Sequence, residues 1–182
     1  RLAHQGCEVT VLDMHGAAGG KMRTVPSAAG PVDAGPTVLT MRPVFEALFT
    51  DVDEELSTHL TLEPLATLAR HYWDDGTQLD LMADPAHSLS NVTAAFGSKA
   101  GQEFARFSAR AQRLFAAFDA PMMHAHAPRQ WAMTKTVLGN PSLIPDMAPH
   151  RTMAGLLKSS FRNPQLAQLF GRYPTYARGS PY

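Results

Sequence analysis

The first thirteen residues change their hydrophobic pattern once, and each part predicts a different element. Residues 2–5 are compatible with the last turn of a helix, and Gly6 follows them as a residue that often ends helices. Residues 7–12 form a short, β-branched and largely apolar run, which predicts a buried parallel strand. Asp13 ends that run. A helix end, a glycine, a buried strand and an acidic residue in this order predict the second half of a βαβ unit.

The pattern beyond residue 41 predicts helices and one β-hairpin. Residues 42–52 place apolar side chains on one helical face, and Pro43 falls in the first turn, where proline is tolerated. Two further apolar runs, 68–72 and 77–82, flank the dipeptide Asp75-Gly76. Because Asp-Gly is a strong turn signal between such runs, we predict a hairpin there.

A helix-capping signal predicts the start of the next helix, and apolar spacing and prolines predict the remaining elements. Asp84 stands before Pro85, which is the expected order of an N-cap and a first helical residue. Prolines divide the segment 121–149 into short helices and loops. The longer helices predicted in this part of the chain span 85–96, 98–118, 152–161 and 164–170.

Composition excludes several classes of protein. The chain has 182 residues, which suggests one domain of the usual range of roughly 100–200. Lys and Arg total 16 and Asp and Glu total 16, so the basic field that drives non-specific nucleic-acid binding is absent and we predict no nucleic-acid partner. Hydrophobic residues make up 45%, enough for a core, and one cysteine excludes an intrachain disulfide framework.

Neither end of the sequence has the features expected of a natural protein terminus. The chain opens on Arg1, residues 1–5 do not resemble a signal peptide, and no apolar run approaches the ~18–20 residues of a spanning helix. We therefore expect the chain to be a piece of a longer protein.

Three short segments are candidates for nucleotide chemistry. Asp13, at the end of the second strand of a dinucleotide fold, would be placed to accept hydrogen bonds from ribose hydroxyls, although a strand-end Asp also caps turns. The glycine fingerprint of that fold lies about twenty residues before the acidic residue, and so before Arg1. Gly19 and Gly20 allow close backbone approach to a phosphate, and Lys21 adds a positive charge. The third segment, 33–37, taken alone predicts a turn.

Together these segments resemble the phytoene desaturase branch of the FAD-dependent amine-oxidase-like flavoproteins. The matching segments at the N-terminal end are Val9–Asp13, Gly19–Arg23 and Val32–Leu39. Those at the other end are Arg151–Met153, Phe161–Leu166 and Leu169–Tyr176, the last being similar to the bacterial hydroxyneurosporene (methoxyneurosporene) desaturase subgroup.

The resemblance implies a fold and a cofactor. The fold is an α/β protein with an incomplete Rossmann-like FAD-binding domain over residues 1–45 and a helix-rich α+β substrate-binding region over 46–182. Asp13 would hold the adenosine ribose, and Gly19, Gly20 and Lys21 would follow the pyrophosphate and ribityl chain. The residues expected to approach the flavin ring are Gly35, Pro36 and Thr37. Three positions depart from the family pattern: Asp13, where relatives more often have Glu, and also His15 and Arg178.

The resemblance also implies a reaction, the 3,4-desaturation of 1-hydroxy or 1-methoxy carotenoids. A long polyene needs an apolar channel, although each aromatic or Met side chain available for one also fits an ordinary core. The side chains in question are Phe104, Phe107, Phe115, Phe118, Met122, Met123, Trp131 and Met133. No catalytic residue can be named. We expect the enzyme in the bacterial cytoplasm, peripheral to the cytoplasmic or photosynthetic membrane. Its two partners would then be the carotenoid substrate and the membrane surface.

Alternatives remain open at this point. Within enzymes, a phytoene-type desaturase or another polyprenoid oxidoreductase would show the same N-terminal segments. A protein of another class, a lipid escort of this fold without flavin, is distinguished by the glycines before Arg1. His124 and His126 have no third partner and predict no metal site. The basic helix face of Arg106, Arg110 and Arg113 is usually solvated, with an anionic membrane surface as the minor alternative.

Overall fold

The computed structural model describes residues 1–16, 18–36, 39–125, 127–174 and 180. The chain forms two compact units, an N-terminal unit over Arg1–Pro64 and a helical unit over Leu65–Tyr182. Both helices and strands occur, so the chain has a mixed α and β composition. The predicted division at residue 45 separates a cofactor-binding part from a substrate-binding part, and it stays a prediction.

The N-terminal unit begins with the predicted helix end. The backbone N–H of Cys7 donates to the carbonyl of Leu2 at 3.0 Å, and that of Gly6 donates to Ala3 at 2.9 Å. This pair of bonds, with Gly6 at φ 84°, is the Schellman arrangement that ends helices.

The predicted buried strand at 7–12 is wrong. The segment is irregular, and Val11 and Leu12 are 80% and 91% exposed. An apolar run becomes a strand only where a second backbone segment supplies its hydrogen bonds, and no described segment pairs with this one. The Rossmann-like sheet therefore stays a prediction.

Two short strands and two helices follow in the N-terminal unit. Strands β1 (Thr24–Val25) and β2 (Val32–Asp33) pair antiparallel, with Thr24 opposite Asp33. Ser27 and Gly30 close the connecting turn by exchanging backbone hydrogen bonds of 3.1 Å. Helix α1 (Arg42–Thr50) is the helix predicted for residues 42–52, and the short α2 (Leu56–His59) comes after it.

The helical unit opens on the predicted hairpin. Strand β3 (Thr67–Tyr72) pairs antiparallel with β4 (Gln78–Met82), with one irregularity between Thr67 and Ala69. The Asp75 carboxylate accepts the N–H of Thr77 at 2.9 Å, which closes the turn at the predicted Asp-Gly.

Helices make up the rest of this unit, and the first of them begins at Pro85, where the capping signal predicted it. Asp84 caps α3 (Pro85–Phe96) by accepting from the N–H of Ala86 at 2.8 Å, and Thr152 and Asn163 cap later helices in the same way. The helices are α3 (Pro85–Phe96), α4 (Ser98–Phe118), α5 (Gln130–Gly139), α6 (Leu143–Met147), α7 (Met153–Ser160) and α8 (Pro164–Gly171), with a π-helical turn at Asp119–Met123.

The core of the helical unit lies where the hairpin, α3, α4, α7 and α8 meet. Its three most completely buried side chains are Leu79, Val92 and Leu166, which are at most 1% exposed. Phe161 and Phe170 stack beside them with ring centroids 5.2 Å apart.

Hydrogen bonds fix these elements around the core. The Ser88 hydroxyl bonds both backbone groups of Met82, which holds α3 against β4. The indole N–H of Trp73 donates to Gln168 at 2.8 Å, so that the hairpin is tied to α8. No helix of the described part of the chain is long and apolar enough to cross a membrane.

Leu166→Ala should lower the free energy of unfolding by about 2–5 kcal/mol, because it leaves a cavity at a site that is 0% exposed. Leu138→Ala is the matched control, since Leu138 is also helical but 74% exposed, and we expect a change within about 0.5 kcal/mol. Urea unfolding followed by far-UV circular dichroism measures both. Equal losses in the two variants would contradict this assignment of the core.

Candidate functional site

The glycine-rich loop forms a tight turn. The N–H of Met22 donates to the carbonyl of Gly19 at 3.0 Å, which closes the turn around Gly20 and Lys21. Gly20 has φ 57°, a left-handed conformation that glycine adopts without steric cost. A Cβ at Gly20 would meet nothing within 4 Å, so the backbone there faces open space. Open space above a glycine is what close approach of a phosphate or ring requires.

The β1–β2 ribbon brings the third predicted segment against this loop. A Cβ built on Gly35 would lie 1.9 Å from the carbonyl oxygen of Lys21 and 3.3 Å from the Cα of Met22. The N–H of Ala34 donates to the carbonyl of Arg23 at 2.8 Å and fixes the same contact. Gly35 is thus required for packing two backbone segments together, and Pro36 follows it directly. Thr37 lies outside the described residues.

Asp13 stands at the other end of the loop that leads to Gly19. Its carboxylate accepts the backbone N–H of His15 at 2.8 Å, and the residue is exposed. The arrangement is an Asx turn, which is the structural role weighed for this residue from the sequence. The structure therefore brings Gly19, Gly20 and Lys21 together with Gly35, and it gives Asp13 a contact within its own turn.

An apolar groove of 540 Å³ runs along α4 in the helical unit. Its volume falls within the roughly 300–1,000 Å³ of pockets that bind small molecules. The side chains that line it from α4 include Phe104, Ser108 and Ala111, and those from the hairpin and α3 include Leu81, Met82 and Leu89. Since residues spaced by three or four share a helical face, Phe115 continues the same face over about 16 Å of helix.

The aromatic and Met residues considered for a channel are divided by the structure. Phe104 is buried in the core and also lines the groove, as does the partly buried Phe107. Phe115 is 64% exposed and Trp131 is 62% exposed. Met133 lines a separate groove on α5. Phe104 and Phe107 therefore contribute both to the core packing and to the lining of the groove.

A second cavity, of 430 Å³, lies beside α4 and is polar. Arg113 donates two hydrogen bonds to the carboxylate of Asp146 in α6, at 2.7 and 3.0 Å. Arg110 donates from two nitrogens to the backbone carbonyl of Asp146, one of the carbonyls that a helix C-terminus leaves unpaired. The hydrogen bond from Arg113 holds the pKa of Asp146 below its usual value.

Sequence reasoning identified the arginine face but missed its acidic partner. Arg113 and Asp146 are 33 residues apart, and the local pattern around Asp146 gives no sign of the contact. His71 was also missed. Its Nε2 is buried with no hydrogen-bond partner in the described part of the chain, and burial lowers its pKa, with the charge of Arg172 adding to the effect. The alternation of inward and outward positions along β3 could have predicted from the sequence that His71 points inward.

Comparison with known proteins identifies the family. The sequence profile of one protein family, the flavin-containing amine oxidoreductases, matches residues 1–144. This chain belongs to that family. Membership implies a flavin cofactor, and the matched range includes the glycine-rich loop and all the residues of the groove except Phe170. The backbone at Gly20, which faces open space, fits such a group.

Three similar proteins, all hydroxyneurosporene desaturases, align over nearly the whole chain. The protein of Cereibacter sphaeroides is 48% identical over 100% of the chain, and that of Rhodobacter capsulatus is 44% identical over 98%. The protein of Rubrivivax gelatinosus is 38% identical over 100%. The chain spans 37%, 36% and 35% of their respective lengths.

Gly35→Ala should reduce the flavin content of the purified product of the complete reading frame, because a Cβ 1.9 Å from the Lys21 carbonyl displaces the loop. Gly16→Ala is the matched control, since a Cβ there meets nothing within 4 Å. Visible absorbance per protein measures bound flavin. If both variants retain flavin equally, the packed loop has no part in holding the cofactor.

Asp146→Asn should lower the melting temperature at neutral pH, and the difference from the parent should vanish in acid. A carboxylate whose folded pKa is lowered stabilises the fold above its unfolded pKa of about 3.9, and the effect is lost as pH falls through the folded pKa. Thermal unfolding from pH 7 to below about pH 3 tests this. Asp74→Asn, in the exposed hairpin turn, is the control. A constant difference at every pH would contradict the assignment.

Proposed function

We propose that the protein containing this chain is an FAD-dependent carotenoid desaturase, acting at the 3,4 bond of 1-hydroxy or 1-methoxy carotenoids. The observation that carries this is the likeness to hydroxyneurosporene desaturases over essentially every residue, at 38–48% identity. The apolar groove supports it, because a polyene requires a long apolar surface.

The N-terminal unit has the positioning role in this proposal. Gly19, Gly20 and Lys21 lie along the pyrophosphate of FAD, where Lys21 offsets its charge, and Asp13 holds the adenosine ribose. Gly35 keeps the two backbone segments in contact. Bound flavin supplies the hydride acceptor, and the protein supplies position and an environment without water. Residues that neighbour these in a Rossmann-like sheet belong, on this proposal, to other parts of the full-length protein.

The groove along α4 has the substrate role. Its α4 side is built from Phe104, Phe107, Gln112 and small residues, which suits a thin acyclic polyene with short methyl branches between α4 and the hairpin. Ser108 lines the groove, and its hydroxyl makes no hydrogen bond within the described part of the chain. Its hydroxyl is available to a hydroxyl or methoxyl oxygen of the substrate.

The proposal includes a place of action. Carotenoids partition into bilayers, so an enzyme that collects them has to dock on a membrane. We therefore propose that the protein acts in the bacterial cytoplasm at the surface of the cytoplasmic or photosynthetic membrane.

The reaction is tested with the product of the complete reading frame, FAD and vesicles containing either a 1-hydroxycarotenoid or phytoene. A new conjugated double bond moves the polyene absorption bands to longer wavelength. We expect the shift with the hydroxylated substrate. Reaction with phytoene alone would favour a phytoene-type desaturase. If neither substrate reacts and no flavin is retained, the proposal of a desaturase is wrong and a lipid escort is favoured.

Ala111→Trp should lower the rate of desaturation at least tenfold, because a large ring would fill the groove where the polyene lies. Ala116→Trp is the matched control, since it places the same ring on an exposed position of the same helix outside the groove. Initial rates and flavin content are measured for both. Equal rates in the two variants would remove the groove from the substrate path.

A further inference from the structure

The polar cavity beside α4 holds more positive than negative charge. Arg106, Arg110, Arg113 and Arg162 line it together with Glu103 and Asp146. Four guanidinium groups against two carboxylates leave two positive charges uncompensated inside the cavity. The chain as a whole has a formal net charge of zero, so this is a local concentration of charge and not a reflection of composition.

The internal partners leave many donors of these guanidinium groups unused. Each guanidinium has five N–H donors. Arg110 and Arg113 each use two nitrogens on Asp146. Arg106 is exposed, and its side chain makes no hydrogen bond or ion pair within the residues that the structure describes. The cavity therefore has donor capacity for a further anion.

Glu103 does not cancel this capacity. Its side chain is 9% exposed, and its Oε2 accepts the backbone N–H of Arg162 at 3.0 Å. The guanidinium of Arg162 approaches Glu103 only to 3.7 Å and is 83% exposed. The carboxylate is thus committed to the backbone, while the Arg162 side chain remains available to a ligand.

An apolar surface adjoins the cavity through α6. Asp146 lines the polar cavity, and the next residue, Met147, lines a 410 Å³ groove with α5. Ile144 in the same short helix is 48% exposed, and Leu138 of α5 is 74% exposed. A ligand that suits both surfaces has an anionic group attached to an apolar body.

We propose that this cavity binds the phosphate of an anionic phospholipid headgroup, with the α5–α6 surface lying against the acyl region of the same bilayer. Arginine is suited to the task because its planar fork matches phosphate oxygens in a bidentate fashion. Exposed apolar side chains next to basic groups are the pattern of interfacial membrane contact. The lipid site adds a membrane partner of defined chemistry to the proposed function. It rests on that function in one respect, which is that the substrate comes from a membrane.

The test uses the variant Arg106→Gln/Arg162→Gln, because Arg110 and Arg113 also hold α6 in place. Co-sedimentation of the product of the complete reading frame with phosphatidylglycerol-containing vesicles, without carotenoid, measures binding. Loss of two basic contacts should weaken vesicle binding roughly thirtyfold, at about fivefold for each contact. Lys99→Gln/Lys158→Gln is the matched control, since both lysines are exposed and neither lines the cavity or the α5 groove. We expect its binding to change less than threefold.

Each other outcome overturns the inference. Equal losses in the two double variants would mean that only overall charge matters, and unchanged binding would remove the cavity from the contact. Equal binding to phosphatidylcholine vesicles would exclude headgroup recognition. Saturable binding of inorganic phosphate without vesicle binding would assign the cavity to a soluble anion, and self-association that the variant abolishes would assign it to a second copy of the chain.

Failure of the proposed function is recognised separately. The unsubstituted protein is assayed with detergent-dispersed 1-hydroxycarotenoid, where no bilayer is present. No desaturation there, with vesicle binding intact, counts against the desaturase alone. Desaturation there without vesicle binding counts against the lipid site alone.

Discussion

The packing of Phe107 against the stacked rings of Phe161 and Phe170 separates two chemically opposite surfaces of α4. Its ring centroid lies 5.0 Å from that of Phe161 and 4.6 Å from that of Phe170. Phe107 lines the apolar groove on one side and the arginine cavity on the other. The stacked rings fix α4 against α7 and α8, so both surfaces owe their shape to one aromatic contact. Offset and tilted rings at these distances are individually favourable by about 0.5–1.5 kcal/mol beyond their burial.

Local signals predicted the helical unit well. Asp84 before Pro85 and Asp75 before Gly76 each specify a structure through hydrogen bonds to residues two positions away, and both bonds are present. The N-terminal unit was harder to predict, because the strand predicted at 7–12 depends on a partner strand and not on its own pattern. The ribbon of β1 and β2 has two residues in each strand, too few for an alternation to be seen.

The candidate sites show the same division. Gly19, Gly20 and Gly35 could be selected from the sequence, but the contact of Gly35 with Lys21 and Met22 could not, since it is made by the ribbon of β1 and β2. The arginine face of α4 follows from helical spacing, whereas the part played by Asp146 requires the fold to bring α6 back to α4. Residue types are therefore readable from sequence, and the pairing of groups more than about thirty residues apart is not.

The contacts between the hairpin and α8 bear on how the chain is made. Trp73 bonds Gln168 across 95 positions, and Asp75 bonds Gln165 across 90. At a synthesis rate of about 5–20 residues per second, the hairpin waits several seconds for α8 to emerge from the ribosome. During that interval Leu79 lacks the cover of Leu166, and the half-made unit presents an apolar surface to any chaperone or membrane nearby.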